Sequence, residues 1–303
     1  MKNYSIKLKA LFAVNVFLVA LIVLSYVFDS GARLSPVMKV AIAEGAEKAT
    51  SITILSGDMN LELLKRGDAW LVMDGSSTLP ADAGRIKSFL DTLASITSVE
   101  RVASSEGARA ALGMDGAESM RIELKDFSAK RLACFVLGDY TEDASRVYAG
   151  PPDGLDAWSL PASVASYARA SRNSWLDLRV FPGDYGSLDV EELRLSGTVD
   201  LGADTPARKL DYTLRRQAGS WYRGTDAVDP VKAEGQIRSI LGLKASEYAP
   251  EGLLPDTGAL KATLVLGNGS ALEIALGERG TDGRHLAVSS GRERAFYLPG
   301  WAV

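Results

Sequence analysis

One cysteine and one histidine in 303 residues remove most of the chemistry that a chain of this size can carry. A zinc site needs several thiolate or imidazole ligands in one shell, which Cys134 and His285 cannot supply. No internal disulfide can form, so a domain outside a reducing compartment would be held by its core alone. A hydrolase triad or a cysteine nucleophile would have to use His285 as its base, and the G-x-S-x-G nucleophile elbow is missing. The phosphate-loop pattern GxxxxGK[ST] and the spacing of an EF-hand are also missing. Positive charge is in deficit, since 34 Lys and Arg against 38 Asp and Glu leave a net charge of −4. That balance gives no general attraction to phosphate backbones, and nucleic acid is not an expected partner.

What is present is the balance of a folded chain, 47% hydrophobic and 24% charged, long enough for about two domains. From Ala10 to Phe28 the sequence reads ALFAVNVFLVALIVLSYVF without a charge, close to the roughly 20 residues that cross a bilayer core as a helix. Lys2, Lys7 and Lys9 precede the run and Asp29 follows it. The positive-inside bias then places residues 1–9 in the cytoplasm, a single-pass anchor at 10–28 in the inner membrane, and the rest on the periplasmic side. A cleaved signal peptide is the competing reading. Against it, the run exceeds the usual apolar region of about 7–15 residues, and the nearest small-x-small triplet, Ala41-Ile42-Ala43, lies well beyond its end. Lipid attachment at an N-terminal cysteine is excluded, because the single cysteine is Cys134.

Residues 29–51 are rich in small and polar types and read as a stalk. Beyond them the chain repeats itself. Trp70 to Leu90 can be laid on Trp221 to Leu241 without a gap, bringing Gly84 onto Gly235, Ile86 onto Ile237, and Phe89-Leu90 onto Ile240-Leu241. Further on, Leu137-Gly138 matches Leu276-Gly277, Arg146 matches Arg284, and Trp158-Ser159-Leu160-Pro161 matches Phe296-Tyr297-Leu298-Pro299. Two diverged copies of one unit account for this pattern, the first over 52–186 and the second over 187–303.

Within a copy, the alternation of Ile52-Thr53-Ile54, Leu61 to Leu64 and Ala69 to Met73 across polar turns predicts short antiparallel strands. A helix follows. Thr78 is its expected cap, Pro80 falls in the first turn, and Ile86, Phe89, Leu90, Leu93 and Ile96 form one apolar face. Its counterpart starts at Asp229-Pro230, a cap and an N1 proline. Hairpins then turn at Asp126-Phe127-Ser128 and, with a stronger signal, at Gly267-Asn268-Gly269-Ser270. The fold class expected is α+β: an N-terminal transmembrane helix followed by two tandem repeats, each a mostly antiparallel sheet with one main helix.

Candidate chemical residues each have a plain structural account. Cys134 alternates with apolar neighbours along a strand and reads as a small buried hydrophobe. His285 reads as a surface or half-buried strand residue. Asp139, Glu142 and Asp143, with Asp282 in the matching loop, could hold a hard cation, but a solvated loop face accounts for them better. Trp70 and Trp221 occupy matched places, which argues for two core anchors rather than a binding surface; Tyr148, Trp158 and Tyr297 are read in the same way. No catalytic, cofactor-binding or metal-binding residue is assigned, no cofactor is expected, and the chain is not read as an enzyme.

A Trp-containing strand, a capped helix, a hairpin ending in Leu-Gly, a Tyr-containing strand and an aromatic-x-Leu-Pro strand resemble an uncharacterised bacterial domain family of membrane-anchored proteins. Its members are commonly encoded beside ABC-type transport systems of the gliding-motility kind. The resemblance runs from about Ile52 to Val303 and includes Trp70, Gly138, Tyr148 and Leu160-Pro161. It implies a non-catalytic auxiliary subunit working with a separate permease and ATPase, and it brings no functional residue with it. In the second copy Leu286 stands where the first has Tyr148. A periplasmic module that binds a glycan, lipid or peptide is the second reading, and an envelope hydrolase the third.

Overall fold

The computed structural model describes residues 37–57, 59–199, 207–256 and 259–300, together with Leu18. The tail expected over residues 1–9 and the anchor over 10–28 lie outside the described residues, Leu18 excepted. Among the described residues no helix is long and apolar enough to cross a membrane. The chain divides into two compact units, Met1–Leu79 with Ala83–Arg172, and Pro80–Asp82 with Asn173–Val303.

The first unit runs β1 (Val37–Lys39), α1 (Ile42–Lys48), β2 (Ser51–Ser56), β3 (Met59–Arg66), β4 (Ala69–Asp74), β5 (Ser77–Pro80), α2 (Ala83–Ala94) and β6 (Ser98–Ser104). It continues through α3 (Glu106–Ala111), β7 (Met120–Lys125), β8 (Arg131–Tyr140), β9 (Arg146–Gly150), β10 (Asp156–Pro161) and α4 (Ala162–Ala168). The second contains β11 (Val190–Val199), β12 (Arg208–Gln217), β13 (Ser220–Arg223), β14 (Asp226–Val228) and α5 (Pro230–Leu241). It ends with β15 (Glu247–Tyr248), β16 (Leu260–Leu266), β17 (Ala271–Arg279), β18 (Arg284–Ser289) and β19 (Phe296–Pro299).

Each unit has its own antiparallel sheet. The first is ten-stranded, ordered β1-β6-β10-β9-β8-β7-β2-β3-β4-β5, and the second nine-stranded, β14-β13-β12-β11-β16-β17-β18-β19-β15. Read from its other edge, the second order is the first strand for strand, with β1 the one addition. The repeat seen in the residues is therefore a repeat of topology. In each copy a meander runs outward from a central strand, a helix crosses one face to the far edge, and a second meander returns from the centre to meet it. Trp70 opposite Lys65 corresponds to Trp221 opposite Arg216.

Side-chain period decides which face is covered. Along β7, Met120, Ile122 and Leu124 are buried while Arg121, Glu123 and Lys125 are half-buried on the other face. Helix α1 lies against β7 and β8 and α2 packs beside it, burying Ile86, Phe89 and Leu93, all at 0% exposure, each worth roughly 1.5–3 kcal/mol of apolar burial. In the second unit Ala233 and Ile237 of α5 pack into a core with Trp221, Leu193, Leu264, Ile274 and Leu298.

Several expectations change in the structure. From Val37 onward the expected stalk is part of the first unit. β1 pairs with β6, and α1 buries Ile42, Gly45 and Ala46, with a Cβ built on Gly45 reaching within 3.0 Å of the Ala133 side chain. Small residues allow that approach, and composition alone does not distinguish it from a linker. Helix α2 starts at Ala83, because Thr78 and Pro80 belong to β5; Asp229 does cap α5, accepting from Val231 N at 2.9 Å. The division falls after Arg172 rather than near Gly186. Trp175, Leu176, Val180 and Phe181 are buried, and Val180 N donates to Leu243 O (3.0 Å), Ala245 N to Leu178 O (2.7 Å) and the Ser289 hydroxyl to Val180 O (3.0 Å).

Candidate functional site

The matched tryptophans separate. Trp221 is fully buried, with the Arg216 guanidinium 5.0 Å from its ring centre and Arg216 Nη1 donating to Leu188 O at 2.8 Å. Trp70 is half-buried, so only one copy has the expected anchor; the cross-strand neighbour of Trp70 is a lysine, Lys65, where Trp221 has an arginine. Trp158 is buried at 8% exposure, whereas Tyr148 and Tyr297 are half-buried. The repeated arginine is used twice. Arg146 donates from Nε to the Ser159 hydroxyl (2.8 Å) and from Nη2 to Ser159 O (2.7 Å), and Arg284 lies over the Tyr297 ring at 4.3 Å.

The carboxylates are occupied in turns. Asp143 accepts from the Thr141 hydroxyl (2.6 Å), the Ser145 hydroxyl (2.7 Å) and Ser145 N (3.1 Å), and the hydroxyls lead the effects that lower its pKa to about 2. Asp282 accepts from Arg284 N (3.0 Å) and Nε (2.7 Å), and these bonds hold its carboxyl below the usual range. Asp139 and Glu142 are exposed. Among the described residues no group of three or more His, Cys, Asp or Glu gathers as a metal shell would require.

His285 differs from the expectation. It is buried, at 4% exposure, with Nδ1 3.1 Å from Gly277 O and Nε2 buried without a partner. A carbonyl only accepts, so Nδ1 carries the proton. The corresponding residue in the first copy is Val147, also buried, which explains the inward direction. Cys134 is half-buried rather than buried and faces Glu123 across the β7–β8 pair. Burial pushes Glu123 up, but Arg131 and Lys125 outweigh it and hold the carboxyl below its ordinary value.

Hollows lie within both units among the described residues. On the outer face of the first sheet a dish of ≈570 Å³ is lined by Leu55, Met59, Arg109, Met114, Arg121 and Val136 among others. Arg109, an arginine in a Gly- and Ala-rich connection that gave no sign of its role, is committed there: Nη1 donates to Pro151 O and Gly154 O at 2.8 Å, and Nη2 to Asp115 at 3.1 Å. The outer face of the second sheet has a hollow of ≈460 Å³ beside Ser196, Ser289 and the Lys261–Glu273 pair, 2.9 Å apart. Between α5 and the second sheet is an apolar gap of ≈180 Å³ lined by Leu195, Ile240, Ala262, Ile274 and Leu298 among others. Its origin lies in the repeat. Ala262 faces Ile274 where the first copy sets Ile122 against Phe135, and Ile240 aligns with Phe89.

These observations define a class: a tandem α+β protein of two antiparallel sheets, whose charged side chains serve turns, hairpins and loop crossings. The chain belongs to the family described as "Domain of unknown function (DUF4340)", whose model matches residues 70–266, more than half of its length. No curated protein and no solved structure matches the chain. The matched segment begins at Trp70 in β4 and closes at Leu266, the last residue of β16, so it spans parts of both copies.

Proposed function

We propose that the protein is a non-catalytic, membrane-anchored accessory or scaffold subunit of an ABC-type transport complex of the gliding-motility kind. Its bulk faces the periplasm and its partners are a separate permease and ATPase. The observation that carries this reading is the charge-free run from Ala10 to Phe28, with lysines before it and Asp29 after it, joined to two units in which the candidate carboxylates Asp143 and Asp282 are taken up by their own turns. The buried ring of His285 weighs against a histidine base, and hence against an envelope hydrolase. Antiparallel sheets recruit partners by adding a strand at an edge; β5, β14 and β15, at four residues or fewer, limit that mode to short segments.

The test is to crosslink the full-length protein in its native membrane, purify it in mild detergent and identify what accompanies it. Recovery of a permease and ATPase, lost when residues 10–28 are replaced by a cleavable signal, supports the accessory role. The apolar gap beside Ile240 and Ala262 favours a second reading, a binding module for a glycan, lipid or peptide. Recovery of the protein alone, carrying such a molecule, would move the assignment there.

A further inference from the structure

We propose that the apolar gap between α5 and the second sheet takes the end of an aliphatic chain. Leu195, Ala262, Ile274 and Leu298 line it from the sheet, and Ile240 and Leu243 from the helix and the turn after it. Its volume is ≈180 Å³, a little above the about 150 Å³ at which an apolar cavity stays dry and accepts a benzene-sized guest. A chain end of about six carbons is a guest of that size. Ser239 is exposed and Gln236 half-buried, and both line the gap, so it opens to solvent beside them. The inference narrows the ligand-binding reading to one chemistry and does not rest on the accessory role.

The first unit fills the corresponding place with its own side chains. There α1 lies against β7 and β8 and beside α2, the counterparts of β16, β17 and α5. Helix α4 brings Tyr167 to Phe89, with ring centres 5.6 Å apart, and the Arg85 guanidinium stands 5.2 Å from the Tyr167 ring. Ile240 and Gln236 hold the positions of Phe89 and Arg85. In the second unit the segment before the central strand is only a three-residue turn, Ser187–Asp189. Helix α4 has no counterpart among the described residues, which end at Gly300. The side chains shrink as well: Phe89, Ile122 and Phe135 become Ile240, Ala262 and Ile274. The first three are fully buried, whereas Ile240 remains half-buried, apolar surface that a guest would take out of water.

The lining selects the guest. No charged side chain lines the gap among the described residues. Its two polar side chains are both engaged within the protein: Gln236 Nε2 donates to the Tyr212 hydroxyl, and the Ser239 hydroxyl donates to Gly235 O at 3.0 Å. The strands beneath, β11, β12, β16 and β17, are each paired on both sides. An extended peptide would find no ladder groups there to bond, and a glycan would bring hydroxyls that the lining cannot pair. Burying polar groups without partners is costly, and a hydrocarbon has none to bury.

The test photolabels the full chain in nanodiscs with decanoic acid carrying a diazirine at its far end, and locates the label by mass spectrometry. Label should fall on residues 236–243 and 260–276, which line the gap. Ala262→Ile with Ile240→Phe, the residues of the first copy, together add about six carbons. Each methylene kept out of the gap costs about fourfold in affinity, so labelling there should fall at least tenfold while Tm does not fall. Should the double variant fail to fold, Ala262→Ile alone gives the same reading with a smaller loss. Phosphatidylethanolamine with the same diazirine, built into the nanodisc, separates a bilayer lipid from a free fatty acid as the source of the chain. Absence of label from these residues, or equal labelling in the variants, would overturn the proposal. So would displacement by N-acetyl-leucine amide but not by octanoate, which would reassign the gap to a peptide side chain. Labelling that appears only in Trp301→Ala would show that the chain's own end fills the gap, and would likewise overturn it. Any of these results leaves the accessory role standing, and failure to recover a permease and ATPase leaves the chain site standing.

Discussion

Gly138 and Gly277 hold the same place in the two copies, and their surroundings set opposite tolerances for a side chain. A Cβ on Gly138 would collide with the Leu112 carbonyl oxygen and stand 2.9 Å from Met114 Cγ and 3.0 Å from Met114 N. On Gly277 the nearest atom is Pro255 Cβ at 3.1 Å, then Leu286 O at 3.4 Å. Relieving the first clash requires the loop over β8 to retreat. That disturbs the bond from Asp139 N to Leu112 O, 2.9 Å long, and lifts Met114 from its seat on Val136 and Ala157. Overpacking of this kind costs about 1–3 kcal/mol, and a lost net hydrogen bond about 1 kcal/mol. Gly138→Ala should therefore destabilise the first unit by about 2–4 kcal/mol, or about 6–12 °C in Tm for a unit of this size. Gly277→Ala should cost less than about 1 kcal/mol, since a few tenths of an ångström at Pro255 suffice. The assay is thermal unfolding of the full chain in mild detergent, with hydrogen exchange followed across residues 108–116. Equal Tm for the two variants, or Gly138→Ala within about 2 °C of wild type, would refute the reasoning.

Four further expectations follow from the same geometry. Trp221→Ala should lower stability by about 3–5 kcal/mol and Trp70→Ala by less than half of that, read from urea midpoints; similar losses would contradict the difference in burial. His285→Val should stay within about 1 kcal/mol of wild type, because the lost Nδ1 bond is offset by removing a buried, unpartnered Nε2; a larger loss by the same measurement means that Nε2 has a partner. Burial pushes the Asp177 carboxyl up, but Arg179 and Arg292 outweigh it and hold it below its ordinary value. The stabilisation is therefore complete above an unfolded pKa of about 3.9 and disappears as pH falls through the lower folded value; Tm curves of wild type and Asp177→Asn should converge in acid, and curves that stay parallel would defeat the assignment. Ala262→Ile should fill part of the ≈180 Å³ apolar gap and stabilise the second unit by about 1 kcal/mol; a fall in chemical-denaturation midpoint would show that the site cannot accept the added volume.

The parts of the fold that the residues announce are those decided locally or by repetition. Asp229-Pro230 caps a helix wherever it occurs, so α5 begins where its sequence says. Thr78 and Pro80 carry the same local message, yet tertiary pairing takes them into β5 and α2 waits until Ala83. Residues 42–48 read as a tether because alanine and glycine look alike in a loose linker and in a close-packed helix; what decides is the approach of Gly45 to Ala133, a distance that no pattern contains. The alternation of Ala287 with His285 in β18 points inward for both residues, but a lone polar residue reads as surface unless its partner copy, with Val147, is consulted. At the β7–β8 hairpin the turn at Asp126 is legible and the 91% exposure of Phe127 is not, because exposure depends on how far β8 runs past its neighbours.

The central seam of each sheet joins strands from opposite halves of its copy, Ser51 lying opposite Lys125 in the first and Leu193 opposite Leu264 in the second. Closing that seam brings distant segments together, a slow step that leaves a strand edge waiting. Because the copies share one strand order, β2 could meet either β7 or β16, and only timing separates the outcomes. During synthesis β7 exists well before β16, so the native seam forms without a rival. A chain released from full denaturation meets both candidates at once, and strand-exchanged products trapped by that competition are its characteristic failure.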